Sequence, residues 1–118
     1  MLEKLLTAEK IYLACGATDL RKSVDGLSAI VSQRFMLDPF GSNIFLFCNK
    51  KKDKFKALVW DANGFILLYK RLEQGKFQWP KSPDEARLIT HQELRWLLEG
   101  LAIDQPKALK EFNASAVC

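Results

Sequence analysis

Histidine is nearly missing from this chain: His91 is the only one in 118 residues. A multi-histidine metal site or a histidine-centred triad would have to be built around it without local support. Cysteine is scarce too. Cys15, Cys48 and Cys118 are widely spaced and contain no C-x-x-C pair, which argues against a zinc site or a disulfide framework and suits reduced, intracellular thiols. Six glycines and four prolines place the chain outside the collagen-like and low-complexity classes. Between Gly16 and Gly26 there is no G-x-G-x-x-G or G-x-x-x-x-G-K-[ST] spacing, so the usual phosphate-cradling loops are missing. No apolar run approaches the ~20 residues of a membrane span, the longest being residues 44–48 and 65–69. Residues 11–15 end on Cys15 as a lipoprotein signal would, but Glu9 and Lys10 directly before them leave no apolar region of ~7–15 residues. The expectation is a cytoplasmic protein with no membrane partner, no metal and no cofactor.

What is present is an ordinary globular composition, 48% hydrophobic, 27% charged and 11% aromatic, enough for one compact core. We read residues 10–105 as one α+β domain, an antiparallel β-meander of about five strands with two packed α-helices, between a leader at 1–9 and a tail at 106–118. Residues 10–15 have strand composition and close at Gly16. A helix is expected next, capped by Thr18, with Leu20, Val24, Leu27, Ile30, Val31 and Phe35 as its buried stripe. Gly26 within it suggests close approach to a sheet. The period then turns strand-like over residues 44–48, 55–61 and 65–72. Asn63 and Gly64 suit the positive φ of a tight hairpin between the last two. Further short strands are expected at 77–79 and 86–89. Thr90-His91-Gln92-Glu93 is a capping box opening a helix over 90–101, with Leu94, Leu97, Leu98 and Leu101 buried. Trp96 lies about 160° from that stripe, a candidate partner contact unless residues 106–112 fold over it. Residues 44–48 are apolar on both faces, which leaves a sheet face for a second copy of the chain or a larger partner to cover.

Charge is unevenly placed. Residues 43–82 hold nine cations and three carboxylates, net +6, while the rest of the chain sums to −2. Lys50, Lys51, Lys52, Lys54 and Lys56 crowd one turn, and Lys70, Arg71, Lys76 and Lys81 follow. Alternate turns of a meander share an end, so the turn at Gln74-Gly75 should join the lysines in one phosphate-binding patch. Arg21 and Lys22 fall in the first turn of the expected helix, where cations are disfavoured by roughly 0.3–1 kcal/mol each. A bound anion explains them, as does pairing with Asp25. A lysine-rich turn also serves simply as a solvated edge that resists aggregation, and the residues alone leave both readings open.

Three ordered motifs carry a resemblance: Gly16-Ala17-Thr18-Asp19-Leu20-Arg21-Lys22-Ser23-Val24-Asp25-Gly26-Leu27, then Trp60-Asp61-Ala62-Asn63-Gly64-Phe65, then Tyr69-Lys70-Arg71-Leu72-Glu73-Gln74-Gly75-Lys76-Phe77-Gln78-Trp79-Pro80. Leu94-Arg95-Trp96-Leu97-Leu98-Glu99-Gly100 extends it. The chain resembles the TnpB accessory-protein family of insertion-sequence-66 elements, over residues 10–103. The resemblance implies a mobile-element protein that assists transposition beside a separate transposase holding the catalytic acids, and it supplies no catalytic residues. The expected partners are element-end DNA, the transposase and a second copy of the chain, with Lys50, Lys51, Lys52, Lys54, Lys56, Lys70, Arg71, Lys76, Arg21 and Lys22 on phosphates. The alternative is a protein-interaction module that never touches DNA. A metal-dependent nuclease using Asp19, Asp25 or Asp61 is the third reading.

Overall fold

A computed structural model describes residues 8–82, 85–105 and 109. Its elements run β1 (Lys10–Ala14), α1 (Val24–Ala29), β2 (Asn43–Cys48), β3 (Lys54–Asp61), β4 (Gly64–Arg71), β5 (Ala86–Ile89) and α2 (His91–Leu98). The five strands form one sheet in the order β4-β3-β2-β1-β5. The α+β class and the β2-β3-β4 meander are as the sequence led us to expect. The first strand is the exception: β1 pairs in parallel with β2, with Lys10 opposite Asn43 and Leu13 opposite Leu46. β5 then closes the other side of β1 in antiparallel fashion, Ile11 opposite Ile89. A parallel pair needs a crossover of a dozen or more residues, commonly helical, and the segment carrying α1 provides it.

That helix starts later than its apolar stripe suggested. Thr18 is not its N-cap. It is buried, and its N–H donates to the Cys48 carbonyl at 2.8 Å, which ties the chain to the end of β2. Asp19 then accepts the Arg21 N–H at 3.0 Å, a local turn that competes with helix formation. Ser23 is the capping position, without a side-chain bond. After Ala29 the helix widens to a π turn over Ile30–Arg34, closed by the Phe35 N–H on the Ile30 carbonyl at 3.0 Å. The stripe itself packs as read: Leu27 and Val31 are buried against Phe45, Phe47 and Leu58, with Leu20, Val24, Ile30 and Phe35 around them. Gly26 is close to something other than the sheet, since a Cβ there would lie 3.0 Å from the Cβ of Lys22.

Residues 77–79 are not a strand. They run irregularly across the other sheet face, where Phe77 and Trp79 are buried with Ile11, Leu13, Ile44, Leu46, Ala57 and Val59. The Trp79 indole N–H donates to the Ala14 carbonyl at 2.8 Å, and the Gly16 N–H reaches the Pro80 carbonyl at 2.7 Å. An aromatic indole buried this way keeps its one polar atom paired. Leu94, Leu97 and Ile103 complete that layer. Both faces of the central strand β2 are therefore covered by the chain itself.

The capping box forms as expected. Thr90 Oγ1 accepts from the Glu93 N–H at 3.0 Å and the Glu93 carboxylate accepts from the Thr90 N–H at 2.9 Å. The helix stops at Leu98, three residues short. Gly100, at φ +84°, turns the chain so that the Leu101 N–H meets the Trp96 carbonyl at 2.8 Å. Leu98 and Leu101 consequently stand 38% and 44% exposed rather than buried. In the β3-β4 hairpin the positive φ falls on Ala62, at 54°, not on Asn63 or Gly64. The leader at 1–7 and most of the tail lie outside the described residues.

Replacing Trp79 with Phe removes the donor to the Ala14 carbonyl while keeping an aromatic ring in the core. The expected loss is about 1–3 kcal/mol of unfolding free energy, the usual cost of a buried polar partner removed. Urea denaturation measures it, and an unchanged midpoint would deny the indole bond its structural role.

Candidate nucleic-acid interface

The parallel β1-β2 pair sends residues 15–23 and 49–53 out of the same end of the sheet, and β4 ends there too because it lies antiparallel to β3. Residues 72–77 are fastened to the lysine turn at that end. The Leu72 N–H donates to the Asp53 carbonyl at 2.7 Å, and the Phe77 N–H to the Lys52 carbonyl at 2.8 Å. The expected common end of the two turns is present, and the loop after β1 joins them.

Asn49 builds the lysine turn. Its Oδ1 accepts the N–H groups of Asp53 and Lys54, both at 3.1 Å, and its Nδ2 donates to the Asp53 carboxylate at 2.6 Å. The Asn49 N–H reaches the Lys54 carbonyl at 3.2 Å and the Lys52 N–H the Asn49 carbonyl at 3.2 Å. Lys52 sits in the left-handed region at φ 61°, a conformation uncommon for a side-chain-bearing residue. The Asn49 amide holds the Asp53 carboxyl below the usual carboxylate range, with Lys54 adding to the effect.

Between this turn and the loop after β1 lies a cleft of about 810 Å³. Lys50, Lys51, Lys54, Lys56 and Arg21 are its cations, and Leu20, Leu67 and Tyr69 supply apolar surface. Lys56 and Tyr69 are directly paired across β3 and β4, as are Lys54 and Arg71, so these four side chains share one sheet face. The Lys56 ammonium donates to the Lys22 carbonyl at 3.0 Å and has two further hydrogens to offer. Asp19 is the one carboxylate in the cleft. It is held by the Arg21 guanidinium at 2.7 Å, whose hydrogen bonds bring its pKa down to about 2. A second, smaller cleft of about 230 Å³ adjoins the first through Asn49 and Lys50, and adds Lys52 and Lys81.

Not every predicted phosphate ligand reaches the clefts. Arg21 and Lys22 precede α1, so neither opposes the helix dipole, and Arg21 pairs with Asp19 rather than Asp25. Lys70 alternates with Tyr69 and Arg71 and so projects from the opposite sheet face. Arg71 is engaged with Glu73 at 2.8 Å. Lys76 is exposed on the adjoining loop. Trp96 is half-buried rather than fully exposed. Of the segment expected to cover it, only Leu109 is described, and that side chain is exposed. Tyr69 is the residue that charge counting missed. Its signal was an aromatic at a strand position otherwise reading as solvent-facing.

The nuclease carboxylates are dispersed. Asp19 belongs to the cationic end, Asp25 to α1 and Asp61 to the far end of β3, and no three metal-ligating side chains cluster among the described residues. Cys15 and Cys48 are buried and unbridged, and Cys118 is outside the described residues. Burial pushes the Cys48 thiol up to about 12 and raises that of Cys15, so neither is a ready nucleophile. No helix among the described residues is long and apolar enough to cross a membrane.

The family model described as IS66 Orf2 like protein matches residues 9–108. Two proteins of Sinorhizobium fredii (strain NBRC 101917 / NGR234) are similar over most of their length. Uncharacterized protein y4jC is 36% identical over 92 residues, 78% of this chain and 79% of that protein. Uncharacterized protein y4hO is 31% identical over 98 residues, 83% and 85% respectively. No solved structure matches.

Substituting Asn49 by Ala leaves two turn N–H groups without their acceptor and the Asp53 carboxylate with Lys54 alone. We expect a loss of about 1–3 kcal/mol, read by chemical denaturation. A carboxyl whose folded pKa is depressed stabilises the fold above its unfolded pKa, and that stabilisation is lost as pH falls through the folded value. The Asp53 contribution therefore fades on acidification, and in N49A the Asp53 carboxyl should titrate closer to an ordinary aspartate. An NMR titration that finds Asp53 unmoved by the substitution would remove Asn49 from this role.

Proposed function

Since the chain belongs to the IS66 Orf2-like family, we propose that it is a non-catalytic accessory protein of an insertion sequence, assisting DNA transposition by gripping nucleic-acid phosphates beside a separate transposase. The observation that carries this reading is the meeting of cations from the loop after β1 and the lysine turn in one cleft, with Lys81 in the adjoining one. The carboxylates among them are engaged: Asp19 by Arg21, Asp53 by Asn49 and Lys54, Glu73 by Arg71. An anion approaching this end meets a surface dominated by ammonium groups. Its phosphates replace condensed counterions, and release of those ions into bulk drives binding.

The grip needs no base readout, so it serves to hold or present element-end DNA rather than to select its sequence. The chemistry of strand transfer then falls to the transposase.

Binding of element-end DNA across a salt series tests the reading. Five cleft cations on phosphates predict a slope of log K against log salt of about −3.5 for a single strand and about −4.5 for a duplex. Changing Lys50, Lys51, Lys52, Lys54 and Lys56 to Ala should weaken binding at every sequence alike and flatten the slope by about one for each phosphate that no longer meets an ammonium group. Affinity indifferent to salt, or unaltered by the five substitutions, would sink it. Co-purification with the transposase after nuclease treatment, without DNA binding by the chain alone, would favour the protein-interaction module instead.

A further inference from the structure

We infer that the larger cleft takes an unpaired nucleotide, so that the nucleic acid held here is a single strand or a frayed end rather than an intact duplex; this rests on the phosphate-binding reading above. A surface meant only for duplex phosphates needs cations and no hollow. This one is an open, shallow cleft of about 810 Å³, large enough in volume for a small molecule, and its chemistry is mixed. Leu20, Leu67 and Tyr69 offer apolar surface, while Lys50, Lys51 and Arg21 bring charge from the two loops. The complementary ligand has a flat apolar body and an anionic edge. A nucleotide with its base unstacked is such a body, whereas a duplex keeps its bases inside the stack and presents phosphates alone.

Tyr69 gives the point its geometry. It is 55% exposed on the edge strand, opposite Lys56 and diagonal to Lys54 in the β3-β4 register. A large aromatic left this open, on a strand whose earlier residues are half-buried, is available to a ligand. Base stacking on such a ring, with neighbouring lysines on the phosphates, is how sequence-tolerant single-strand sites work. The Lys56 ammonium, which donates to the Lys22 carbonyl at 3.0 Å, belongs to the residue paired with Tyr69 across the two strands. The same chemistry fits a free mononucleotide, and the test separates the two sources.

Fluorescence anisotropy with labelled oligo(dT), a blunt hairpin duplex of equal phosphate count, and dTMP as competitor measures all three at one salt concentration, and a repeat at higher salt reads the electrostatic share. We expect oligo(dT) to bind more tightly than the duplex. Tyr69→Ala should cost about tenfold or more toward oligo(dT) and leave duplex binding within about twofold, while Tyr69→Phe, which keeps the ring, stays near the parent. Tyr69 is exposed, and thermal denaturation of each variant confirms that the fold is retained. Equal or tighter duplex binding, with no effect of Tyr69→Ala, overturns the unpaired-nucleotide assignment and leaves phosphate binding standing. Salt-independent binding or no binding to either probe overturns phosphate binding as well. Competition by dTMP at concentrations close to those of oligo(dT) gives the site to a free nucleotide and overturns the strand assignment.

Discussion

Everything at the charged end of this molecule follows from the parallel pairing of β1 with β2. Had β1 joined the meander in antiparallel fashion, the loop after it would have left the sheet beside residue 43, a full strand length from the lysine turn. Parallel pairing reverses that loop. It delivers Thr18 to the Cys48 carbonyl and sets Arg21 across a cleft from Lys50 and Lys51. The family motif beginning at Gly16 is then legible as structure: it is the wall of a cleft whose other wall is distant in sequence only.

Collecting like charges at one end has a cost, which the rest of the fold outweighs. Two ammonium groups about 5–8 Å apart in water repel by about 0.5–0.8 kcal/mol, and salt reduces this further. Burying one large apolar side chain returns about 1.5–3 kcal/mol. Phe77 and Trp79, both buried, lie immediately after the charged loop at 72–76 and anchor it to the sheet. The Phe77 N–H on the Lys52 carbonyl passes that anchorage to the lysine turn. Ion pairs contribute less. Arg21–Asp19 and Arg71–Glu73 are both solvent-exposed, and exposed pairs are worth little.

Where sequence reasoning succeeded, the signal was local, and where it failed, the deciding partner was distant. The β2, β3 and β4 runs, the α2 capping box and the stripe on α1 were visible because each depends on neighbours a few residues away. The start of α1 was misplaced because Thr18 is an excellent cap in isolation, whereas the Cys48 carbonyl, far along the chain, ties Thr18 to the end of β2 and Asp19 forms a local turn with Arg21 before the helix begins. Residues 77–79 look like a strand because Phe and Trp favour strands. In fact they alternate into a core formed by other strands. The cations were countable, but the partition of Lys70 from Tyr69 to opposite faces requires the register. A cleft with an aromatic wall has no one-dimensional signature.

The basic residues differ in their position on the sheet, and that difference bears on the proposed grip. β4 is an edge strand, and an unpaired edge invites another chain to add to it. Its open end carries Lys70 and Arg71. One projects away from the cleft and the other is paired with Glu73, as charges that merely keep an edge solvated should be. Lys50, Lys51, Lys54 and Lys56 serve no edge. They line an open cleft, Lys54 and Lys56 from β3 and Lys50 and Lys51 from a turn that Asn49 ties together through three side-chain hydrogen bonds and in which Lys52 takes an unfavoured backbone conformation. A turn whose purpose was solubility would need neither the ordered amide hub nor the left-handed lysine, because any flexible polar loop would do. Order at a charged turn, maintained against local backbone preference, is the structural feature that supports the proposed phosphate grip over a purely solvating role.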